Sequence, residues 1–211
     1  MSIQQQPYHH GDLRASLLKE ADRILRTDGV EGVSLRKLGE AVGVSRTAAY
    51  HHFANKNALL CALAEEGFTD LYNVMNAFRW DDHTDLASHL RQLVEGYFDF
   101  ALQHPARYEL MFGHSIWRNM EPTSSLKTIA HDSFRYYAQH INALLARFAS
   151  QPHPQPLRFA QASWAMLHGL CRFMLDGIYG SSKDLSAVSS EACAMLMTYI
   201  QALPGASDAT S

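Results

Sequence analysis

The sequence predicts an all-α fold of about nine helices: an N-terminal three-helix domain built on a helix-turn-helix, then a C-terminal helical bundle. Three observations predict it. Apolar residues recur at i, i+3, i+4 and i+7 through most of the 211 residues, and no segment shows the two-residue alternation of a half-buried strand. The periodic stretches are separated by Gly, Pro and short polar runs, the residues that end or cap helices. With 47% hydrophobic residues, the chain has ample material for a packed core.

The first helix is expected from a cap at Asp12 to about Asp28, burying Leu13, Leu17, Ala21, Ile24 and Leu25, with Gly29 closing it. The preceding residues are polar. Tyr8, His9 and His10 among them read either as an arm that touches DNA or as a frayed tail. Leu35, Leu38 and Val42 form the apolar stripe of a second helix, with Arg36, Lys37 and Glu40 outward, and Gly43 stops it. Ser45 is placed to cap a third helix, Arg46–Phe53. Helix, glycine-containing turn and helix make the helix-turn-helix plan, whose second helix enters the DNA major groove while the first crosses the backbone.

Asn55 can cap a long helix from Lys56 to about Phe78 carrying Leu59, Leu60, Leu63, Phe68, Leu71, Tyr72 and Met75. After the polar run Asp81-Asp82-His83-Thr84-Asp85, helices are expected over about 86–103 and, beyond the His104-Pro105 boundary, 106–112. A long helix over 126–149 ends at the linker Gln151-Pro152-His153-Pro154-Gln155-Pro156. Two last helices, 157–179 and 185–203, are split by Gly180-Ser181-Ser182, and Pro204–Ser211 reads as a disordered tail. The domains are therefore expected at 1–56, the arm and DNA-binding head, and 57–203, the ligand-binding and dimerisation bundle, with 204–211 as tail.

The third helix carries groups suited to DNA. Arg46 and Thr47 sit at its N-terminus, within reach of base edges, where Arg can donate twice to guanine and Thr offers a hydroxyl and a methyl. Ala48 and Ala49 are small enough to let the helix approach. Tyr50, His51, His52 and Lys56 are donors for phosphate oxygens, and Arg36, Lys37 and Ser45 complete the candidate DNA-binding set. The net charge of −3 conceals a local excess: Ser34–Lys56 holds four basic residues and one acidic residue, whereas residues 57–211 hold ten and fifteen. Basic charge concentrated at the turn is what phosphate binding needs.

Cys61, Cys171 and Cys193 show no CxxC spacing, which argues against a disulfide framework or zinc site and for a reducing cytoplasm. The N-terminus lacks an apolar signal core, and no apolar run is long enough to span a membrane. His9-His10 and His51-His52 are poor metal ligands, because adjacent helical residues point about 100° apart, so no metal and no cofactor are expected. No nucleophile, base and orienter fall in a recognisable order, so an enzyme is not expected.

The run Gly43-Val44-Ser45, Tyr50, His52-Phe53, Lys56 and Leu59-Leu60 resembles the signature of tetracycline-repressor-type (TetR family) transcription regulators. Upstream, Leu17, Ala21, Ile24-Leu25, Gly29, Val33–Leu38 and Ala41 match as well; Ala49 departs, since the family more often has Leu or Pro there. A second tract, Trp164-x-x-x-His168-Gly169, resembles an element of the C-terminal domain in one branch of the family.

The resemblance implies an effector pocket in the C-terminal domain. Its candidate lining is Tyr72, Met75, Tyr97, Tyr108, Met111, Phe112, Phe134, Tyr137, Trp164, His168 and Cys171, each of which, taken singly, reads more readily as core or interface packing. Few basic residues interrupt these stretches, which points to an apolar or aromatic effector. The resemblance also favours a homodimer through the last two helices, by Leu157, Trp164, Leu167, Leu175, Ile178, Met195, Leu196 and Tyr199, over burial of the same residues in the subunit's own core. The expected function is a dimeric, ligand-responsive regulator, a repressor released from a palindromic operator in double-stranded DNA by a small effector. The alternatives are an activator or a partner-controlled regulator without a small ligand and, from another class, a helical ligand carrier or enzyme.

Overall fold

The structure is a computed structural model, and it describes residues 13–77, 84–179 and 182–202. The expected arm at Tyr8–His10, the cap at Asp12, the polar run 81–83, Leu203 and the tail lie outside the described residues. Every described element is helical: α1 (Leu13–Gly32), α2 (Leu35–Val42), α3 (Arg46–His52), α4 (Lys56–Ala77), α5 (Leu86–Gln103), α6 (Pro105–Phe112), α7 (His114–Trp117), α8 (Ser124–Phe148), α9 (Pro156–Leu175) and α10 (Ser182–Gln201). The single turn α7 is too short to show a periodicity in the sequence; the other nine correspond to the expected helices. No described helix is long and apolar enough to cross a membrane.

The chain divides into two compact units. The first comprises Met1–Phe68 and Pro105–Ile129, so it runs past the boundary expected after Lys56 and takes in α6 and α7. Its core is the predicted stripe of α1 (Leu13, Leu17, Ala21, Ile24 and Leu25), joined by Leu35, Leu38, Ala49, Phe53, Leu59, Leu60 and Leu63. The helical path of α1 breaks at Gly29, at φ 68°. Arg107 of α6 donates from Nη2 to Asp22 Oδ1 at 2.6 Å and from Nε at 3.0 Å; both side chains are only 14% exposed. Asp22 also receives Arg26 at 3.0 Å. The hydroxyls of Thr123 and Ser125 donate to Glu65 at 3.1 and 2.6 Å, and Asn57 donates to the Glu121 carbonyl at 2.7 Å.

The second unit comprises Thr69–His104 and Ala130–Ser211, with α5 packed on α9 and α10. Leu90, Leu93, Val94 and Tyr97 of α5 are buried, as are Ile141 and Leu144 of α8, Ala160, Leu167 and Cys171 of α9, and Ala192, Leu196 and Ile200 of α10. Asp85 caps α5 by accepting from the Ser88 N–H at 2.7 Å, a hydrogen bond that holds its carboxyl below the usual range. Helix α9 stops at Leu175, four residues sooner than expected. Gly177 adopts φ 72°, and the bonds Ile178 N–H to Phe173 O (2.9 Å) and Gly177 N–H to Met174 O (3.1 Å) close the end as a Schellman motif. The apolar pair Ile178-Tyr179 sustains the helical periodicity beyond a residue that terminates it.

Two histidines sit inside this unit: His89 is 1% and His140 7% exposed. Burial, and after it the neighbouring His89, holds His140 down at about 4 from 6.5. Between those values the unfolded chain binds a proton that the folded chain does not, so stability falls as pH drops through the window and levels off below it. The loss is expected to total about 3 kcal/mol. Native-state hydrogen exchange of the α8 amides in wild type and His140→Gln between pH 7 and pH 4 reads this unit alone and checks the loss; an equal loss in both would assign the effect to other groups.

Candidate DNA-binding face and effector cluster

The turn between α2 and α3 is built from its backbone. Gly43 takes φ 76°, the Val44 N–H donates to the Gly39 carbonyl at 2.8 Å, and Gly43 N–H donates to Glu40 at 3.3 Å. Gly39, which no sequence pattern singles out, lets the chain fold back this closely: a Cβ there would stand 3.3 Å from the Val44 carbonyl oxygen. Each helix opens on a serine cap. Ser34 Oγ accepts from Lys37 N–H at 3.2 Å, and Ser45 Oγ accepts from Ala48 N–H at 3.1 Å. Asn55 Oδ1 caps α4 by accepting from Ala58 N–H at 2.9 Å.

On this frame Arg36, Lys37, Ser45, Arg46, Thr47, Tyr50 and His51 are exposed, and His52 and Lys56 are half-buried. The structure therefore brings all nine predicted DNA-facing residues onto the first unit, on α2, α3 and the start of α4. Ala49 is fully buried and faces the core, so close approach along α3 falls to Ala48 alone. The Arg46 guanidinium lies over the Tyr50 ring, 5.4 Å from its centroid. Arg36 pairs with Glu40 at 3.4 Å and Lys56 with the exposed Glu31 at 3.7 Å. Exposed pairs of this kind contribute little and leave the cations available to phosphate.

The predicted pocket residues separate into two groups. Tyr108, Met111 and Phe112 belong to the first unit, where Phe112 meets Phe68 and Tyr108 at 5.2 and 4.8 Å between centroids. The rest belong to the second unit. There Trp164 is ringed edge-on by Tyr97 (5.5 Å), Phe134 (5.7 Å) and Tyr137 (4.8 Å). The Tyr137 hydroxyl donates to Ser163 Oγ at 2.9 Å, Ser163 donates to the Ala160 carbonyl at 3.1 Å, and burial pushes the Tyr137 phenol up. Cys171 is buried and His168 half-buried on the same helix. Tyr72 packs on Tyr136 at 4.6 Å, and Met75 is buried. Ser163 and Tyr136 are additions to the predicted set; a serine between apolar residues carries no signal of its own.

The residues expected at a dimer interface also divide. Leu167 is fully buried, Leu196 is 4% exposed, and Trp164 sits in the aromatic cluster, so these three pack within their own chain. Leu175 is half-buried. Leu157, Ile178, Met195 and Tyr199 are exposed, and Phe173 joins them.

A short serine-capped helix, set across a glycine turn with its cations outward, defines a helix-turn-helix protein with an all-helical second unit. Residues 17–63 match the model of bacterial regulatory proteins of the tetR family, and residues 90–196 match the tetracyclin repressor-like C-terminal domain. The chain belongs to the tetR family of transcription regulators.

Among its relatives, the tetracycline repressor protein class C of Escherichia coli is 45% identical over 56 residues, 26% of each chain. The nucleoid occlusion factor SlmA of Glaesserella parasuis is 29% identical over 89 residues, 42% of this chain and 43% of that protein. The aligned stretches thus span less than half of these curated relatives. A Rhodococcus sp. RHA1 protein of unknown function superposes with a TM-score of 0.78 at 30% identity, covering 92% of this chain and 97% of that one. A TetR variant from Acinetobacter baumannii AYE in complex with minocycline shares the fold, with a TM-score of 0.57 at 18% identity over 92% of this chain and 97% of its own.

Proposed function

We propose that this chain is a homodimeric, ligand-responsive repressor that acts in the cytoplasm and binds a palindromic operator through residues 1–56. One observation carries the reading: α3 is capped by Ser45 and presents Arg46, Thr47, Tyr50 and His51 outward while Ala49 anchors it inward. Two such helices, one from each subunit, would enter successive major grooves about 34–36 Å apart. Arg46 and Thr47 read bases; Arg36, Lys37, Ser45, Tyr50, His51, His52 and Lys56 hold phosphates. The effector is a small apolar or aromatic molecule held by the second unit against Trp164, Tyr97, Phe134 and Tyr137, with His168 as its polar contact. Helix α4 carries Tyr72 and Met75 in that unit and begins at Lys56 in the head. An effector that favours one arrangement of α4 shifts the population of DNA-competent dimers.

Capture of fragments of the source genome by purified protein tests the reading, followed by titration of the captured operator at several salt concentrations. Lys56→Ala is expected to weaken binding to all sequences alike and to lower the salt slope by about one unit for each phosphate no longer neutralised. An unchanged slope in a folded variant would remove Lys56 from the interface, and failure to retain any fragment would overturn the regulator reading.

A further inference from the structure

Helix α1 carries three arginines, and two are neutralised on the helix itself: Arg23 pairs with Glu20 at 2.7 Å and Arg26 with Asp22 at 3.0 Å. Arg14 is not. The positions three and four residues on hold Leu17 and Leu18, and among the described residues the exposed guanidinium meets no carboxylate. It lies instead over the ring of Phe53, with Cζ 5.4 Å from the centroid. Phe53 is a fixed platform: it is 3% exposed, and its N–H ends α3 by donating to the Ala49 carbonyl at 3.2 Å. A ring attracts the charge of a guanidinium without using up its N–H donors, which stay available to an anion. Arg46 over Tyr50 is the same arrangement toward the other end of α3, also at 5.4 Å.

We infer that Arg14 is a further DNA contact, donating to a backbone phosphate at the rim of the major groove from its seat over Phe53. This rests on the DNA-binding reading above and adds to it a residue from outside the helix-turn-helix. A recognition helix contacts base edges with its N-terminal residues. Helix α3, Arg46–His52, is ~10 Å long, and the major groove is about 8.5 Å deep. With Arg46 and Thr47 at the floor, Phe53 stands at the rim, level with the phosphates. His52 and Lys56, two donors of the phosphate set, flank Phe53 in the chain. Arg14 brings a third cation to that end of α3. Lys56 is shared with Glu31 at 3.7 Å, whereas Arg14 has no competing acid among the described residues. Seated on a ring, its planar fork loses little freedom on binding and matches phosphate oxygens. Such a contact carries no base information; it fixes the orientation in which α3 enters the groove.

The test uses full-length Arg14→Met, which keeps an apolar stem over Phe53 and removes the charge, and Arg14→Lys, which keeps the charge. Arg14→Gln is run beside them, so that the charge is removed in two ways. Circular dichroism and thermal midpoints confirm that each is folded. Fluorescence anisotropy follows binding to two probes, the genomic fragment captured by the wild type and a duplex of unrelated sequence, from about 50 to 200 mM salt. Each subunit of an Arg14→Met dimer gives up one phosphate, so the slope of log affinity on log salt is expected to be shallower by about two units on both probes. Over that range the wild type then loses about tenfold more affinity than the variant. Arg14→Gln is expected to follow Arg14→Met, and Arg14→Lys to keep the wild-type slope. Folded Arg14→Met or Arg14→Gln with the wild-type slope overturns the contact. So does Arg14→Lys as shallow as Arg14→Met, because packing on Phe53 and not charge would then be what Arg14 supplies. A loss confined to one base position overturns the phosphate assignment. A wild type that retains no genomic fragment fails the regulator reading itself, whereas a wild type that binds with a slope Arg14→Met leaves unchanged fails only this contact.

Discussion

Arg46→Ala is expected to lower operator affinity by about 1–3 kcal/mol for each half-site and to relax the preference at one base position. The guanidinium lies at the first turn of α3 over the exposed Tyr50 ring, 5.4 Å from its centroid. That stacking restricts the side chain before DNA arrives, so less freedom is lost when its two donors meet guanine O6 and N7. Affinities for a set of operators varied one base pair at a time check the expectation. A uniform loss across the set would make Arg46 a backbone contact and pass base reading to Thr47.

Removing Asp22 is expected to have the largest effect on stability. Its carboxylate takes two donors from Arg107 at 2.6 and 3.0 Å, with both side chains 14% exposed. Asp22→Leu takes this carboxylate from the half-buried guanidinium and is expected to cost about 3–5 kcal/mol, whereas Asp22→Leu with Arg107→Leu, which leaves neither charge at the contact, is expected to recover most of it. Two compact units can unfold separately, so the loss is read on the unit that holds the pair. Hydrogen exchange of the α1 amides reads the first unit directly. A double variant as unstable as the single one would show that packing, and not the loss of the Asp22–Arg107 pair, sets the cost.

The helices and their caps were legible in the sequence because both depend on neighbours in the chain. Ser34, Ser45 and Asn55 each satisfy an N–H three residues on, and Gly43 ends α2 while its own N–H and that of Val44 reach back to carbonyls three and five residues earlier. The exposure of Arg46, Thr47, Tyr50 and His51 followed, since Ala49 and Phe53 turn the other side of that short helix inward. The effector candidates did not, because aromatic spacing cannot say which unit an aromatic joins: Tyr108, Met111 and Phe112 belong with Phe68, while Tyr97, Phe134 and Tyr137 gather on Trp164. Leu167 shows the same limit at the interface, an apolar residue of the right period turned inward. His89 did carry a signal: it lies on the buried stripe of Leu86, Leu90 and Leu93, so the helical period alone places it inside.

The discontinuity of the first unit bears on its synthesis. Asp22 meets Arg107 across 85 residues, and Glu65 waits for Thr123 and Ser125. A ribosome adding about 5–20 residues each second takes roughly 2–8 s to pass from Phe68 to Arg107. Throughout that interval the nascent head has its three helices and their caps but neither α6 nor the Arg107 guanidinium, and closing so long a loop carries its own entropic cost. The head is therefore completed only after the first stretch of the second unit, Thr69–His104, has been made.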